Sequence, residues 1–250
     1  MSEMRVPGKL MLAGEYAVTV PKHLALVFSI NRFISQTKSE LVNRQGVKYG
    51  LGSSGAYAVL KTKSDNLLPL SDDELFYKAL AFSRQQQPQN SGADIAASTY
   101  GGLLLYENGQ LPIQARFPES WHLLVGWTGQ PAVTSELVKN NQLSQSFIQT
   151  SDQIVRNMFT AIKDRNFAAF SQQMHLAEDN LEKLTGVMTQ KIVQGIRAAN
   201  RCGYQAKISG AGGGDNIIAF TEKIDDIPKI QQEWRRIGIV PLDLHVYYKK

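Results

Sequence analysis

The chain has 250 residues, enough to bury a sizeable core as one large domain or two intimate ones. Hydrophobic residues at 43% and charged residues at 20% exclude a disordered chain, and no apolar run approaches the ~20 residues that span a bilayer. The net charge of +5 is thinly spread, in runs no longer than the dipeptides Arg235-Arg236 and Lys249-Lys250, which argues against nucleic acid and for a small anionic partner.

The amino terminus, MSEMRVPGKL, carries no apolar stretch ahead of a cleavage site, so no secretion signal is expected. Cys202 is the one cysteine and can form no internal disulfide, which suits a reducing cytoplasm. Next, Met4–Val18 joins a glycine turn, PGK, to the apolar run LMLAGEYAV, predicting a strand, a tight turn and a second extended segment. Leu24–Ile30 (LALVFSI) predicts a buried strand. A glycine- and serine-rich loop follows Lys48-Tyr49, and Ala56–Lys63 suits a helix. Ser71-Asp72-Asp73-Glu74 sets capping side chains and early acids before LFYKALAF, a helix start. Leu103–Tyr106 and Leu123–Trp127 predict strands.

From Ser146 to Arg201 the period changes. Ile154, Met158, Ala161 and Ile162 fall at helical spacing, and Phe167–Leu184 and Ile192–Ala199 continue it until Gly203. Lys207–Gly214 is a second glycine-rich loop, followed by a strand at Ile217–Phe220, a helix at Ile227–Ile237 and a closing strand at Leu242–Tyr248. This order predicts an α+β chain in two lobes, residues 1–118 and 119–250, divided near Pro118.

Four segments can carry chemistry. In GLGSSGA, Gly50–Ala56, glycines allow close backbone approach and two serines add hydroxyls. A helix starting there would make an anion site suited to polyphosphate, although flexible turns use the same residues. It is neither a Walker A loop nor a dinucleotide fingerprint. In KISGAGGGDNIIAF, the consecutive glycines Gly212–Gly214 carry an entropic cost that a second backbone cradle would explain. In NSGADIAAS, Asp94 could orient or deprotonate an attacking oxygen, or simply satisfy a helix dipole. In PGKLMLAGEYAV, Lys9 could reach a reacting phosphate or stay solvated, and Glu15 could accept a structural hydrogen bond or line a pocket. His23, His122, His175 and His245 form no nucleophile or metal arrangement. Trp121 and Trp127 read as core or pocket wall, and Met158 and Met174 as packing.

Taken in order, the Lys9, Gly50, Asp94 and Gly210 segments resemble the GHMP kinases, named for galactokinase and the homoserine, mevalonate and phosphomevalonate kinases. KLMLAGEYAV, KYGLGSSGA, DIAASTYGG, LLVGWTGQPAVTS and SGAGGGD are most similar to the bacterial phosphomevalonate kinase branch, from Lys9 to about Gly238. The resemblance implies a two-lobed GHMP kinase fold, with an N-terminal ribosomal protein S5 domain 2-like lobe and a ferredoxin-like C-terminal lobe. It implies ATP and Mg2+ as cofactors and phosphomevalonate as the small acidic acceptor, with no nucleic-acid or membrane partner, in a cytoplasmic monomer or homodimer. By the same resemblance, Gly50, Leu51, Gly52, Ser53, Ser54, Gly55 and Ala56 hold the ATP phosphates, with Ser54 nearest the metal. Lys9 steadies the transferring phosphoryl group, Lys48 lies at the phosphate end, and Asp94 stands near the accepting oxygen. Ser91, Thr134 and Ser135 face the acceptor, and Ser209, Gly210, Ala211 and Gly212 form the second cradle. Another GHMP activity, such as mevalonate kinase, or a non-catalytic nucleotide or metabolite sensor are the alternatives.

Two departures from the family stand out. QQQPQNSGAD precedes the α-helical acid where the family shows a more glycine-rich GNGSGGD-like stretch. The chain is also abrupt from Ile34 to Gly50 and from Tyr106 to Trp121. Either the enzyme is trimmed there, or segments are absent near Gln36–Glu40 and Glu107–Leu111. The second is the working expectation, and it predicts neighbouring Cα atoms further apart than the ~3.8 Å of a trans peptide.

Overall fold

Two four-stranded sheets organise the chain. The structure, a computed structural model, describes residues 4–132 and 134–249, apart from the side chains of Thr134 and Ser135. In the first sheet β1 (Arg5–Ala13), β2 (Leu24–Ser35), β3 (Leu103–Glu107) and β4 (Ile113–Ala115) lie in chain order, each antiparallel to the next. Helices α1 (Ser53–Asp65), α2 (Asp72–Gln86) and α3 (Ala93–Tyr100) stand between β2 and β3 in the chain. The second sheet contains β5 (His122–Trp127), β6 (Ala206–Ser209), β7 (Asn216–Thr221) and β8 (Val240–Leu242), in the lateral order β6, β7, β5, β8. Helices α4 (Thr134–Asn140), α5 (Gln145–Lys163), α6 (Phe167–Leu181) and α7 (Gln190–Arg201) separate β5 from β6, and α8 (Ile227–Arg236) precedes β8.

Local signals account for most of these elements. Ser71 and Glu74 form the reciprocal capping box that starts α2. Ser144, Asn166 and Thr189 cap α5, α6 and α7 through their side-chain oxygens. Ile154, Met158, Ala161 and Ile162 make the buried stripe of α5. Gly203 ends the helical region at φ +89.

Two expectations are corrected. PGK is no turn: β1 runs straight through it, with an irregularity between Pro7 and Lys9. Gly8 is needed there because a Cβ would lie 2.6 Å from both the Leu51 carbonyl oxygen and a Leu41 methyl. The closing strand is short, since β8 ends at Leu242 and the chain then crosses to the first sheet. β3 pairs with β2 only as far as Phe28, leaving the next backbone groups of β2 exposed on that side. The tail satisfies them: Tyr247 N donates to Ser29 O at 3.0 Å and Asn31 N to His245 O at 3.1 Å. Finally, the two abrupt stretches close as hydrogen-bonded turns. Ser35 N donates to Lys38 O at 2.7 Å, and Gln110 N to Glu107 O at 2.9 Å.

Pro118 lies in the connection between the sheets, but the core is continuous across it. Phe117 meets Phe28 of β2 edge to face at 5.7 Å between centroids and Phe220 of β7 at 5.1 Å, and Phe170 of α6 meets Phe220 at 5.2 Å. Among the described residues no helix is long and apolar enough to cross a membrane.

A buried charge cluster ties the turn after β1 to α6 and β6. Lys207 is 0% exposed and donates to Glu15 Oε1 at 2.6 Å and to the Ile208 carbonyl. Ile208 N donates to Glu178 Oε2 at 2.8 Å. Glu15 is therefore a structural acceptor. One ammonium serves two carboxyl groups in a dry junction, so burial pushes Glu178 up to about 7, against the pull of Lys207.

Between the ordinary carboxyl value of 4.5 and about 7, the folded chain holds a proton that the unfolded chain has lost. The stability this gives is present at the acid end and is lost as pH rises through that window, by up to about 3 kcal/mol. Glu178→Gln keeps the acceptor for Ile208 and should flatten urea-unfolding stability between pH 5 and 8. Equal pH slopes in both proteins would contradict this.

Candidate active site

The glycine loop at Gly50–Ala56 lies where β1, α1, α3 and the turn before β7 converge. Its anchor is a backbone bond from Lys9 N to the Leu51 carbonyl at 2.9 Å. Each of its three glycines faces a charged side chain from a different segment. A Cβ on Gly50 would lie 2.3 Å from Asp215 Cγ, one on Gly52 2.7 Å from Lys9 Cγ, and one on Gly55 2.5 Å from Asp94 Oδ2. Real Cβ atoms do not approach within 3.0 Å, so the spacing of the glycines matches a row of carboxylate, ammonium and carboxylate. Gly50 and Gly52 also adopt φ of +74 and +78.

α1 begins inside the motif at Ser53, with Gly52 as its N-cap, no side-chain cap and no acid in its first turn. Its first N–H groups and dipole are thus available to an anion. α3 begins the same way after Gly92, and Asp94 lies in its first turn against Gly55. Burial pushes the Asp94 carboxyl up from its ordinary value. The Lys9 ammonium, the N–H groups of Ile95 and Asp94, and the Asn90 side chain pull it back.

The other candidates divide. Ser53 Oγ is buried without a partner among the described residues, Ser54 is exposed on the first turn, and Leu51 and Ala56 are buried supports. Lys48 is exposed; burial pushes the nearby Asp215 carboxyl up from its ordinary value, against the Ala132 N–H and the charges of Lys9 and Lys48. Tyr49, between Lys48 and Gly50, is gripped from three sides. Its carbonyl accepts from Asn216 Nδ2 at 2.6 Å, its ring meets Trp127 at 5.0 Å, and the Arg32 guanidinium lies 4.9 Å above it. Ser91 uses its carbonyl to accept from Tyr106 Oη at 2.6 Å, and its hydroxyl accepts from Ala93 N at 3.4 Å.

In the second loop, Ser209 Oγ accepts from Met11 N at 2.9 Å and donates to Met11 O at 2.8 Å, so it fastens β6 to β1. The Ala211 carbonyl accepts from Tyr16 Oη at 2.5 Å. The run Gly212–Gly214 is explained by packing. Cβ atoms there would strike the Val187 carbonyl at 2.6 Å, a Leu137 methyl at 2.7 Å and the Gln130 carbonyl at 2.4 Å. Gly210 alone in this loop has open space where a side chain would be. Thr134 and Ser135 open α4, and their side chains lie outside the described residues. The residue that sequence reasoning passed over is Asp215. Its signal was a charged residue directly after a glycine run, and it takes a left-handed φ of 53.

Comparison with known proteins agrees with this geometry. The family model for the GHMP kinases N terminal domain matches residues 19–102, and that for the C terminal region matches residues 158–240. A phosphomevalonate kinase of Streptomyces sp. (strain CL190) is 31% identical, over 98% of this chain and 73% of its own length. A mevalonate kinase of Aeropyrum pernix is 28% identical over 68% of this chain, which spans only 56% of that relative. The fold is shared with Streptococcus pneumoniae phosphomevalonate kinase in complex with phosphomevalonate and AMPPNP. That structure gives a TM-score of 0.87 at 23% identity, over 99% of this chain and 100% of the other.

Gly46 and Gly52 share a φ of +78, but only Gly52 faces a side chain. Alanine at either position incurs roughly 1–2 kcal/mol of left-handed strain, and at Gly52 it also collides with Lys9 at a cost of about 1 kcal/mol or more. Urea unfolding should therefore find Gly52→Ala the less stable variant. Equal losses at both positions would remove Lys9 from its place over Gly52.

Proposed function

Because the chain belongs to the GHMP kinases, we propose that it transfers the γ-phosphoryl group of ATP to phosphomevalonate, giving ADP and diphosphomevalonate. The observation that carries this reading is the meeting of Lys9 and Asp94 at the uncapped start of α1. The likeness to the Streptomyces phosphomevalonate kinase along almost the whole chain supports the choice of acceptor. So does the ligand pair bound in the Streptococcus enzyme.

The roles follow from charge. The loop backbone and the first N–H groups of α1 take the nucleotide phosphates. Lys9 neutralises charge on the phosphoryl group in transit, and Lys48 raises the positive potential at the mouth. An acceptor phosphate with a second pKa near ~6 is already mostly ionised at neutral pH, so its oxygen needs no strong base. Asp94 therefore orients the acceptor, while Ser91, Thr134, Ser135 and Gly210 border its place between residues 1–118 and 119–250. Ser54 would hold Mg2+ together with the nucleotide phosphates. Its hydroxyl is exposed on the first turn, whereas the neighbouring Ser53 oxygen is closed off and unpartnered. Bound there, the ion supplies further neutralisation of phosphate charge.

The likeness to archaeal mevalonate kinases favours a second reading, with an alcohol as acceptor and Asp94 as a true base. ADP release with Mg-ATP against phosphomevalonate, mevalonate and homoserine in parallel separates the two. Turnover is expected with phosphomevalonate alone, and turnover confined to mevalonate would overturn the assignment.

Asp94→Asn should keep turnover within about tenfold, because orientation survives, whereas loss of a general base would cost ~10²–10⁴-fold. Lys9→Met should lose roughly 10²-fold or more in kcat with its fold intact. A Lys9→Met enzyme of normal rate would sink the role given to that ammonium.

A further inference from the structure

The stretch QQQPQNSGAD leads into α3 with one glycine, and one residue in it is bonded through every polar group it has. Asn90 N donates to the Gln87 carbonyl at 2.9 Å, and the Asn90 carbonyl accepts from Arg84 Nε at 3.0 Å. Its side chain is used at both ends. Oδ1 accepts from Gly92 N at 2.7 Å, and Nδ2 donates to Ser83 Oγ at 2.8 Å. The Arg84 guanidinium also donates to Asn108 Oδ1 at 3.2 Å, and Asn108 Nδ2 donates to the Val18 carbonyl at 2.8 Å. Asn90 is thus fixed to α2 and, through Arg84 and Asn108, to the segment after β1.

The bond to Gly92 closes an Asx turn, in which a side-chain oxygen does the work of a backbone carbonyl. The turn delivers the chain to Gly92 at a left-handed φ of +91, where α3 begins without a side-chain cap. Two residues of the proposed transfer site lie on this corner. Ser91 is its apex: Tyr106 Oη donates to its carbonyl at 2.6 Å, and its hydroxyl accepts from Ala93 N at 3.4 Å. That leaves the hydroxyl proton to donate to an anionic oxygen. Asp94 follows in the first turn of α3, against Gly55 of the phosphate loop. A corner displaced by about 1 Å would carry both side chains away from an acceptor, enough to cost rate in a site that works by alignment.

We propose that Asn90 is a positioning residue, whose side-chain amide sets the corner before α3 and with it the places of Ser91 and Asp94. It acts through the backbone and not on the substrate, and the idea rests on the kinase reading above. The plainer role, steadying the connection between α2 and α3, would lower stability without distinguishing the acceptor from ATP. The two roles therefore come apart in the kinetics.

Asn90→Ala removes both side-chain bonds, whereas Asn90→Ser keeps an oxygen that can accept from Gly92 N. Asn90 is only half-buried, so both variants should fold. Asn90→Ala is expected to raise the KM for phosphomevalonate about fivefold or more while the KM for ATP stays within about twofold of the parent. Asn90→Ser should bring the acceptor KM back to within about twofold of the parent. An unchanged acceptor KM in Asn90→Ala, an equal rise for ATP, or no recovery in Asn90→Ser would overturn the proposal. Should the parent protein fail to turn over phosphomevalonate, the acceptor assignment falls and the positioning claim is read without turnover. Crystal structures of the parent and of Asn90→Ala would then show Ser91 and Asp94 displaced by about 1 Å relative to the Gly50–Ala56 loop. Side chains that stay in place would overturn the claim.

Discussion

The loop Gly50–Ala56 can occupy its position only because it has no side chains at the points where Asp215, Lys9 and Asp94 cross it. Those three residues come from β7's leading turn, from β1 and from α3, segments far apart in the chain. Their charges alternate along the loop, beside an uncapped helix start. A Cβ at any of the three glycines would displace one member of the row. The loop's composition thus records the side chains above it as much as any phosphate it holds.

The rest of the fold keeps those segments in register. Gly8 lets β1 press on the Leu51 carbonyl, and Lys9 N completes the bond to it. Ser209 fastens β6 to β1 through both main-chain groups of Met11, beside the buried Lys207 that meets Glu15. The tail after β8 returns to β2 and closes the gap that β3 leaves. Together with the phenylalanines that bridge the sheets, these contacts pack the two sheets against each other around the glycine loop. A site that works by alignment and charge neutralisation requires such rigidity, because small displacements of an ammonium weaken its hold on developing charge.

Much of this was legible in the residues themselves. The capping box of α2, the buried stripe of α5 and the strand LALVFSI are local patterns, and each produced its element. The positions of Lys9, Asp94 and the glycine loop were also visible, through their order along the chain. What stayed hidden depended on distant partners. PGK reads as a turn until Leu51 is known to lie against Gly8, and the tail reads as one closing strand until the open edge of β2 is seen. Gly212–Gly214 suggested a second cradle, but the backbones of Val187 and Gln130 explain two of those glycines and Leu137 the third. Asp215 was overlooked because Gly50, which it lies over, is more than half the chain away.

The most direct test of a phosphate-to-phosphate transfer is the phosphorus NMR spectrum of the product formed with Mg-ATP and phosphomevalonate. The account predicts that the acceptor's single resonance is replaced by the two coupled resonances of a newly formed P–O–P linkage, alongside those of ADP. Free inorganic phosphate with an unchanged acceptor resonance would show that the γ-phosphoryl group goes to water, and would contradict it.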